Sequence, residues 1–440
     1  MTYSRRDLLK ATLFGGGTLG AYGLRALATG VPAAFLARPF SARAQTMADT
    51  CADAPKAQYL ILSTSSAGDP LNANVPGTYD FPDIAHAADP RMAATPINLG
   101  GRMVTGAQLW STLPAWALER TSFFHHATFT NNHANLTKVL RLMGQTARSE
   151  MLPSIYAKEL SACFGTVQVD PVSAGAGDVL SIDGRSLPNV APTGLRDLLN
   201  RPNTPLQRLQ ALRDKGLDDI HGILKERGTK AQLRYLDSLA QSRQQARALG
   251  GDLLDMLAAI KSDRADGQIV AAVALIKMKV TPVVTIKLAF GGDNHTDPDL
   301  LRAEVPQHES GIQQIGQLLE MLRTAGLQDQ VTFAAYNVFG RTLKKNGTAG
   351  RDHWGSHHAT VMIGKPIRGG VVGGLEPKSN DYYATPIDAA TGEKRPGGGD
   401  IPFEQTLAAM GKTLGAALGV SRAVLDGQIA GGKVVTGALV

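Results

Sequence analysis

Three short segments of this 440-residue sequence bring carboxylates and imidazoles close together: Asp69 in a small polar loop, Asp293 with His295, and Asp352 with His353. Hard or borderline divalent metals, here zinc, magnesium, manganese or calcium, are held by such groups converging from separate segments, and nearby ions can share a bridging carboxylate. Further imidazoles stand at His125, His126, His133, His308, His357 and His358. Seven of the ten histidines lie in the His125-His126 pair or between His295 and His358, so imidazole is concentrated near the candidate acids. Each pairing alone is weak, because a loop Asp commonly caps a turn and a histidine pair can simply bond backbone. Their joint occurrence is what points to a metal site. Arg341 has a planar guanidinium that can grip a phosphate, sulfate or carboxylate through two parallel hydrogen bonds, or equally lock its loop to an Asp. Ser65, Ser66 and Thr130 are nearby hydroxyls in sequence.

These residues need elements to place them. Gln58 to Ser63 reads as a short buried strand that breaks into the loop Thr64 to Pro76, which carries Asp69. Thr121 to Phe124 reads as a strand running into His125, His126 and His133, and Val283 to Phe290 as one running into Asp293. Gly267 to Lys279 looks helical. Val305 to Ala325 carries Ile312, Ile315, Leu318, Leu319 and Leu322 on one side, with Gly326 as its terminator. Strands at Val331 to Tyr336 and Ala359 to Ile363 complete a strand, helix, strand pattern, and most polar clusters fall just after a strand. The expectation is an α/β fold with a central, mostly parallel β-sheet flanked by helices. Residues 193–262 form a helical insertion, with Leu233, Leu236, Leu239 and Ala240 at helical spacing and Arg243 and Arg247 on a solvated face. Thr385 to Pro402 reads as a loop, Phe403 to Leu418 as a final helix, and the last residues as a loosely attached tail. Trp354 reads as loop packing or as a stacking wall for a sugar or ring.

The amino terminus is an address. Ser4-Arg5-Arg6-Asp7-Leu8-Leu9-Lys10 matches a twin-arginine export signal, an apolar stretch from Ala11 to Leu24 follows, and Ala42-Arg43-Ala44 supplies a small-x-small cleavage site. The alternative, an anchor helix through Ala26 to Ala37, would place Arg25 at mid-membrane. Residues 1–44 carry six basic residues against Asp7; subtracting that net +5 from the +7 of the whole chain leaves +2. The basic balance therefore gives no footprint for nucleic acid, and the expected partners are the twin-arginine translocation machinery and an anionic small-molecule or glycan ester, in the periplasm or another exported location. No stable membrane insertion is expected after signal cleavage, and residues 45–440 form one domain. Cys51 and Cys163 are either paired or separate thiols.

From Gln58 to Gly419 the order of motifs resembles a family of twin-arginine-exported bacterial proteins of unknown function in the alkaline phosphatase and sulfatase superfamily. The resemblance is carried by Ser65-Ser66-Ala67-Gly68-Asp69-Pro70-Leu71-Asn72, by Asp293-Asn294-His295, and most specifically by Phe339-Gly340-Arg341-Thr342 through Asn346-Gly347 and Gly350-Arg351-Asp352-His353-Trp354 to Ile367-Arg368-Gly369-Gly370-Val371-Val372-Gly373. It implies metals at the carboxyl edge of an alkaline phosphatase-like sheet. Asp69, Asp293, His295, Asp352 and His353 match the superfamily's ligands, and Arg341 and His133 are the candidate catalytic residues. Two departures stand out: Val338 occupies the usual place of a Glu, and Asn132 precedes His133 where many members have Ser. Valine cannot bind metal, and an amide cannot become an attacking alkoxide. Two functions follow: a metal-dependent hydrolase of phosphate or sulfate esters, or an envelope binding or assembly protein that keeps the fold without the chemistry.

Overall fold

The computed structural model of the chain describes residues 56–68, 71–164, 169–175, 180–199, 251–290, 292–345, 347, 349–378 and 380–440, with scattered residues between 215 and 240. The segment expected to be an export signal, Cys51, Asp69, Asn346, Arg243, Arg247 and most of residues 193–262, expected to be an insertion, lie outside the described residues.

The central sheet grows from short apolar runs. β1 (Tyr59–Ser63) opens it. β2 (Ala94–Leu99) and β3 (Arg102–Ala107) form a separate hairpin. The sheet continues with β4 (Thr121–His126) and β5 (Val172–Ser173), while β6 (Ser181–Ile182) and β7 (Arg185–Ser186) make a second hairpin. β8 (Val283–Ile286) and β9 (Val331–Ala335) return to the sheet, β10 (Gly340–Arg341) and β11 (His353–Trp354) pair only with each other, and β12 (His358–Ile363) and β13 (Gly370–Val372) rejoin it. The seven-stranded order is β13-β4-β12-β9-β1-β8-β5. β12 runs antiparallel to both its neighbours, and the remaining sheet strands share one direction.

Period-two alternation sends each strand into two cores. Tyr59 and Ile61 of β1 join Phe333 and Val284 on one face, where α4 (Ala265–Lys277) and α5 (Glu304–Thr324) pack. Leu60 and Leu62 join Ala334 and Val283 on the other, beneath α1 (Leu152–Ser161) and α6 (Thr406–Ala417). α2 (Pro192–Leu199) and α3 (Gly251–Ala258), at the two ends of the expected insertion, pack beside α4. α4 is buried on every side from Gly267 to Ile276, and α5 buries the Ile312, Ile315, Leu318, Leu319 and Leu322 stripe read from the sequence. Asp297 caps α5, its carboxylate accepting from the N–H groups of Arg302, Ala303 and Glu304. Gly326, at φ +71°, ends it.

Three expectations are corrected. The strand expected through Phe290 stops at Ile286, because β1 ends at Ser63 and side chains take over the ladder: Gln268 accepts from Lys287 N–H, Ser63 from Leu288 N–H, and Gln314 from Ala289 N–H. His125 and His126 do not follow β4; they are its last two residues and are fully buried. The carboxyl-terminal residues are not a loose tail. Helix Arg422–Gln428, Ile429, Val435 and Ala438 bury against α6, and the Val435 N–H donates to Thr413. Among the described residues, no helix is long and apolar enough to cross a membrane.

Candidate functional site

Loops leaving the carboxyl ends of β1, β4, β8 and β9 meet at one edge of the sheet, the usual position for a site in a parallel α/β fold. The β10–β11 pair places Arg341 opposite His353. The loop after β8 is tied to the same hairpin by two backbone bonds, Gly350 N–H to the His295 carbonyl at 2.8 Å and Arg351 N–H to the Asn294 carbonyl at 3.2 Å.

A buried ion pair underlies these loops. Arg351 and Glu304 are both fully buried, with Arg351 Nε 2.7 Å and Nη2 3.1 Å from the two carboxylate oxygens. Asn74 and Asn294 donate to the same carboxylate, while Arg351 also donates to the carbonyls of Thr342, Leu343 and Ala85. Every side of the pair is thus answered by a partner, the condition under which a buried charge pair is tolerated. Asp381 similarly holds the N–H groups of Leu343 and Lys344, and burial raises its pKa.

Above this layer lie the residues singled out in the sequence. His295 Nδ1 is 2.9 Å from Asp352 Oδ1, and His295 Nε2 is 2.9 Å from His353 Nε2. His353 Nδ1 is 2.8 Å from the Asn131 carbonyl. A carboxylate and a carbonyl can only accept, so both rings carry their proton on Nδ1 and turn an Nε2 lone pair toward each other. Asp293 accepts from the His295 N–H at 2.9 Å, which holds its carboxyl below the usual range, helped by the charges of His295, Arg341 and His353. Partial burial lowers the pKa of His353, as does the charge of Arg341, against the bond to Asn131. The group is open to solvent: the side chains of His295, Asp352 and Asp293 are 33%, 49% and 74% exposed.

His133 joins the cluster from the loop after β4. Its Nδ1 donates to the Ser66 carbonyl, and its ring meets His353 edge-on with centroids 4.5 Å apart. Phe339 stacks on His353 at 4.4 Å. Gly68, at φ +67°, is required beside it, since a Cβ there would stand 2.1 Å from the Phe339 ring.

Arg341 is not an open anion clamp. It is fully buried, with Nη1 3.1 Å from His295 Nε2 and Nη2 donating to the Gly292 and Ala67 carbonyls, so its fork faces protein groups and its charge lies behind the histidines. Of the expected metal set, Asp69 lies outside the described residues. The structure brings Asp293, His295, Asp352 and His353 together, but among the described residues no three His, Cys, Asp or Glu are arranged to hold a metal ion. Nδ1 of each ring is taken by Asp352 or Asn131, and Arg341 Nη1 lies against His295 Nε2.

The other histidines lie elsewhere. His125, His126, His357 and His358 are buried in or beside the β4–β12 pair, and His308 is buried on α5. Thr130 and Ser65 are loop-forming hydroxyls that accept from Asn132 N–H and Ala67 N–H. Trp354 donates to the Tyr382 carbonyl and packs on Tyr383. The Asn131 carbonyl, which sets the tautomer of His353, had no side-chain signal in the sequence. Phe339 did, as the first residue of its motif block.

A family described as "Protein of unknown function (DUF1501)" matches residues 230–388, the stretch that contains Asp293, His295, Arg341, Asp352 and His353. No curated protein matches the chain. The crystal structure of the lipoteichoic acid synthase LtaP from Listeria monocytogenes is similar over 87% of this chain and 76% of that chain, at 9% identity and a TM-score of 0.33.

Proposed function

We propose that this chain is an exported, alkaline phosphatase/sulfatase-like protein whose open histidine site hydrolyses a phosphate or sulfate ester. The observation that carries the reading is the facing pair of Nε2 atoms on His295 and His353, each ring backed by an acceptor at Nδ1. The repulsion of two lone pairs 2.9 Å apart is relieved in part by Arg341, whose Nη1 donates to His295 Nε2, and fully once a proton enters between the rings. That proton, on a half-exposed edge with the buried Arg341 charge behind it, favours an anionic ester. It passes to the leaving oxygen as the bond to phosphorus or sulfur breaks; water adds to the central atom and returns a proton to the imidazole pair. Acid–base help of this kind is worth about 10²–10⁴-fold in rate. Export is supported by the twin-arginine pattern and by Cys163, which is disulfide-bonded, a state that an oxidising compartment sustains.

Two observations favour a second reading, an envelope binding or assembly protein that has kept the site without turnover. Val338 is fully buried in the apolar core, and Asn132 spends its side chain on the Ala134 N–H. The mature protein, purified with zinc, magnesium, manganese or calcium supplied and then analysed for metal, is assayed on aryl phosphate and aryl sulfate esters. Turnover lost in His353→Ala supports hydrolysis. Binding of inorganic phosphate or sulfate without turnover supports the second reading, and neither turnover nor binding rejects both. Bound metal together with metal-dependent turnover would replace the shared proton by an ion. Fractionation of cells expressing the Arg5→Lys, Arg6→Lys variant tests export, which predicts retention in the cytoplasm.

A further inference from the structure

Asn72 grips both backbone polar groups of Arg341: its Oδ1 accepts from the Arg341 N–H at 2.9 Å and its Nδ2 donates to the Arg341 carbonyl at 2.9 Å. The same Nδ2 lies 3.1 Å from His357 Nδ1, His357 Nε2 lies 2.8 Å from His125 Nδ1, and His125 Nε2 lies 2.9 Å from the Pro76 carbonyl. The two ends assign every proton. A carbonyl only accepts, so His125 carries its hydrogen on Nε2 and receives one at Nδ1; an amide nitrogen only donates, so His357 receives at Nδ1 and donates from Nε2. All three side chains are fully buried. Desolvation keeps both rings neutral, with His125 pushed down to about 4 and His357 well below its usual value. Gly340 makes the approach possible, since a Cβ there would stand 2.5 Å from the His357 carbonyl oxygen and 2.7 Å from Asn72 Cγ.

We propose that Asn72, His357 and His125 are positioning residues of the candidate site: a one-directional relay anchored at Pro76 that fixes β10 and so holds the Arg341 guanidinium against His295. It carries no proton flow, because it begins at an amide and ends at a carbonyl. Its role rests on the reading of the site given above, but its test needs no turnover.

The full chain, with ¹⁵N-labelled histidine, is observed by NMR at neutral pH without substrate. The expected spectrum has His125 and His357 neutral and protonated on Nε2. His357→Phe shifts the His295 ring nitrogens, and His357→Gln, whose carbonyl can accept from Asn72 and whose amide can donate to His125, restores them. A wild-type His357 protonated on Nδ1, or a folded His357→Phe protein with an unmoved His295, overturns the proposal. If His357→Phe does not fold, Asn72→Asp decides. A carboxylate in place of the amide donor must draw a proton onto His357 Nδ1 while His357 keeps its Nε2–H to a neutral His125, and a His357 Nδ1 that stays unprotonated overturns the relay. Failure of ester turnover would reject hydrolysis and leave these spectra as they are.

Discussion

Six of the described histidines fall into two populations a few residues apart in sequence. His125, His126 and His357 are sealed between β4, β12 and the loops beneath the site, and burial holds each of them neutral. His133, His295 and His353 stand at the solvent edge, and His295 and His353 face each other through Nε2. In the buried set His125 and His357 have complementary donors and acceptors, so the network is complete without any outside group. In the open set both backing partners are acceptors and Arg341 donates to His295 Nε2 alone, so His353 Nε2 faces the pair with a lone pair that a further proton would satisfy. Surroundings, and not residue type, separate scaffold from chemistry here.

The contrast breaks most severely through the buried layer. Glu304→Leu strands the Arg351 charge and should cost about 3–5 kcal/mol of stability, read by urea unfolding; a loss under about 1 kcal/mol would show that the ion pair does not support the loops above it. Acid comes next. A histidine with a lower pKa folded than unfolded is protonated first in the unfolded chain, so its contribution is fully present above about pH 6.5 and drains as pH falls toward 4. For His125, lowered to about 4, that is about 3 kcal/mol across this window. Urea midpoints measured through this range should fall, and His125→Gln should flatten the slope. The open layer should respond in the opposite sense. His353→Ala is expected to change stability by about 1 kcal/mol yet lower ester turnover about 10²-fold or more. A large stability loss without a turnover effect would assign His353 to the scaffold. The smallest effect is expected at Asp293→Asn, within about 0.5 kcal/mol in the same unfolding assay, because its carboxylate is largely exposed.

Much of the sheet was legible because apolar runs such as Tyr59–Ser63 and Val331–Ala335 are buried on both faces and bounded by polar loops. The convergence of Asp293, His295, Asp352 and His353 was legible from motif order, since each segment follows a strand and parallel strands deliver such loops to one edge. Other features were hidden. Thr121-Ser122-Phe123-Phe124-His125-His126 reads as a strand ending before its imidazoles, since burying two of them requires partners, Pro76 and His357 for one and Thr360 for the other, that are remote in sequence. The carboxyl-terminal residues are broken by glycines, and their attachment depends on Thr413 and on the fit of Val435 and Ala438 into an existing core.

By itself the sequence determined which groups could do chemistry and which strands would carry them to a common edge, because residue identity and local periodicity are properties of neighbouring positions. Only the tertiary structure decided what those groups can do. It turned the Arg341 fork inward, backed both open rings with acceptors, and closed His125, His357 and Asn72 into a neutral network. The direction of a hydrogen bond and the exposure of a charge depend on partners brought from 49 to 269 residues away, as the contacts of His125 with Pro76 and of Asn72 with Arg341 show.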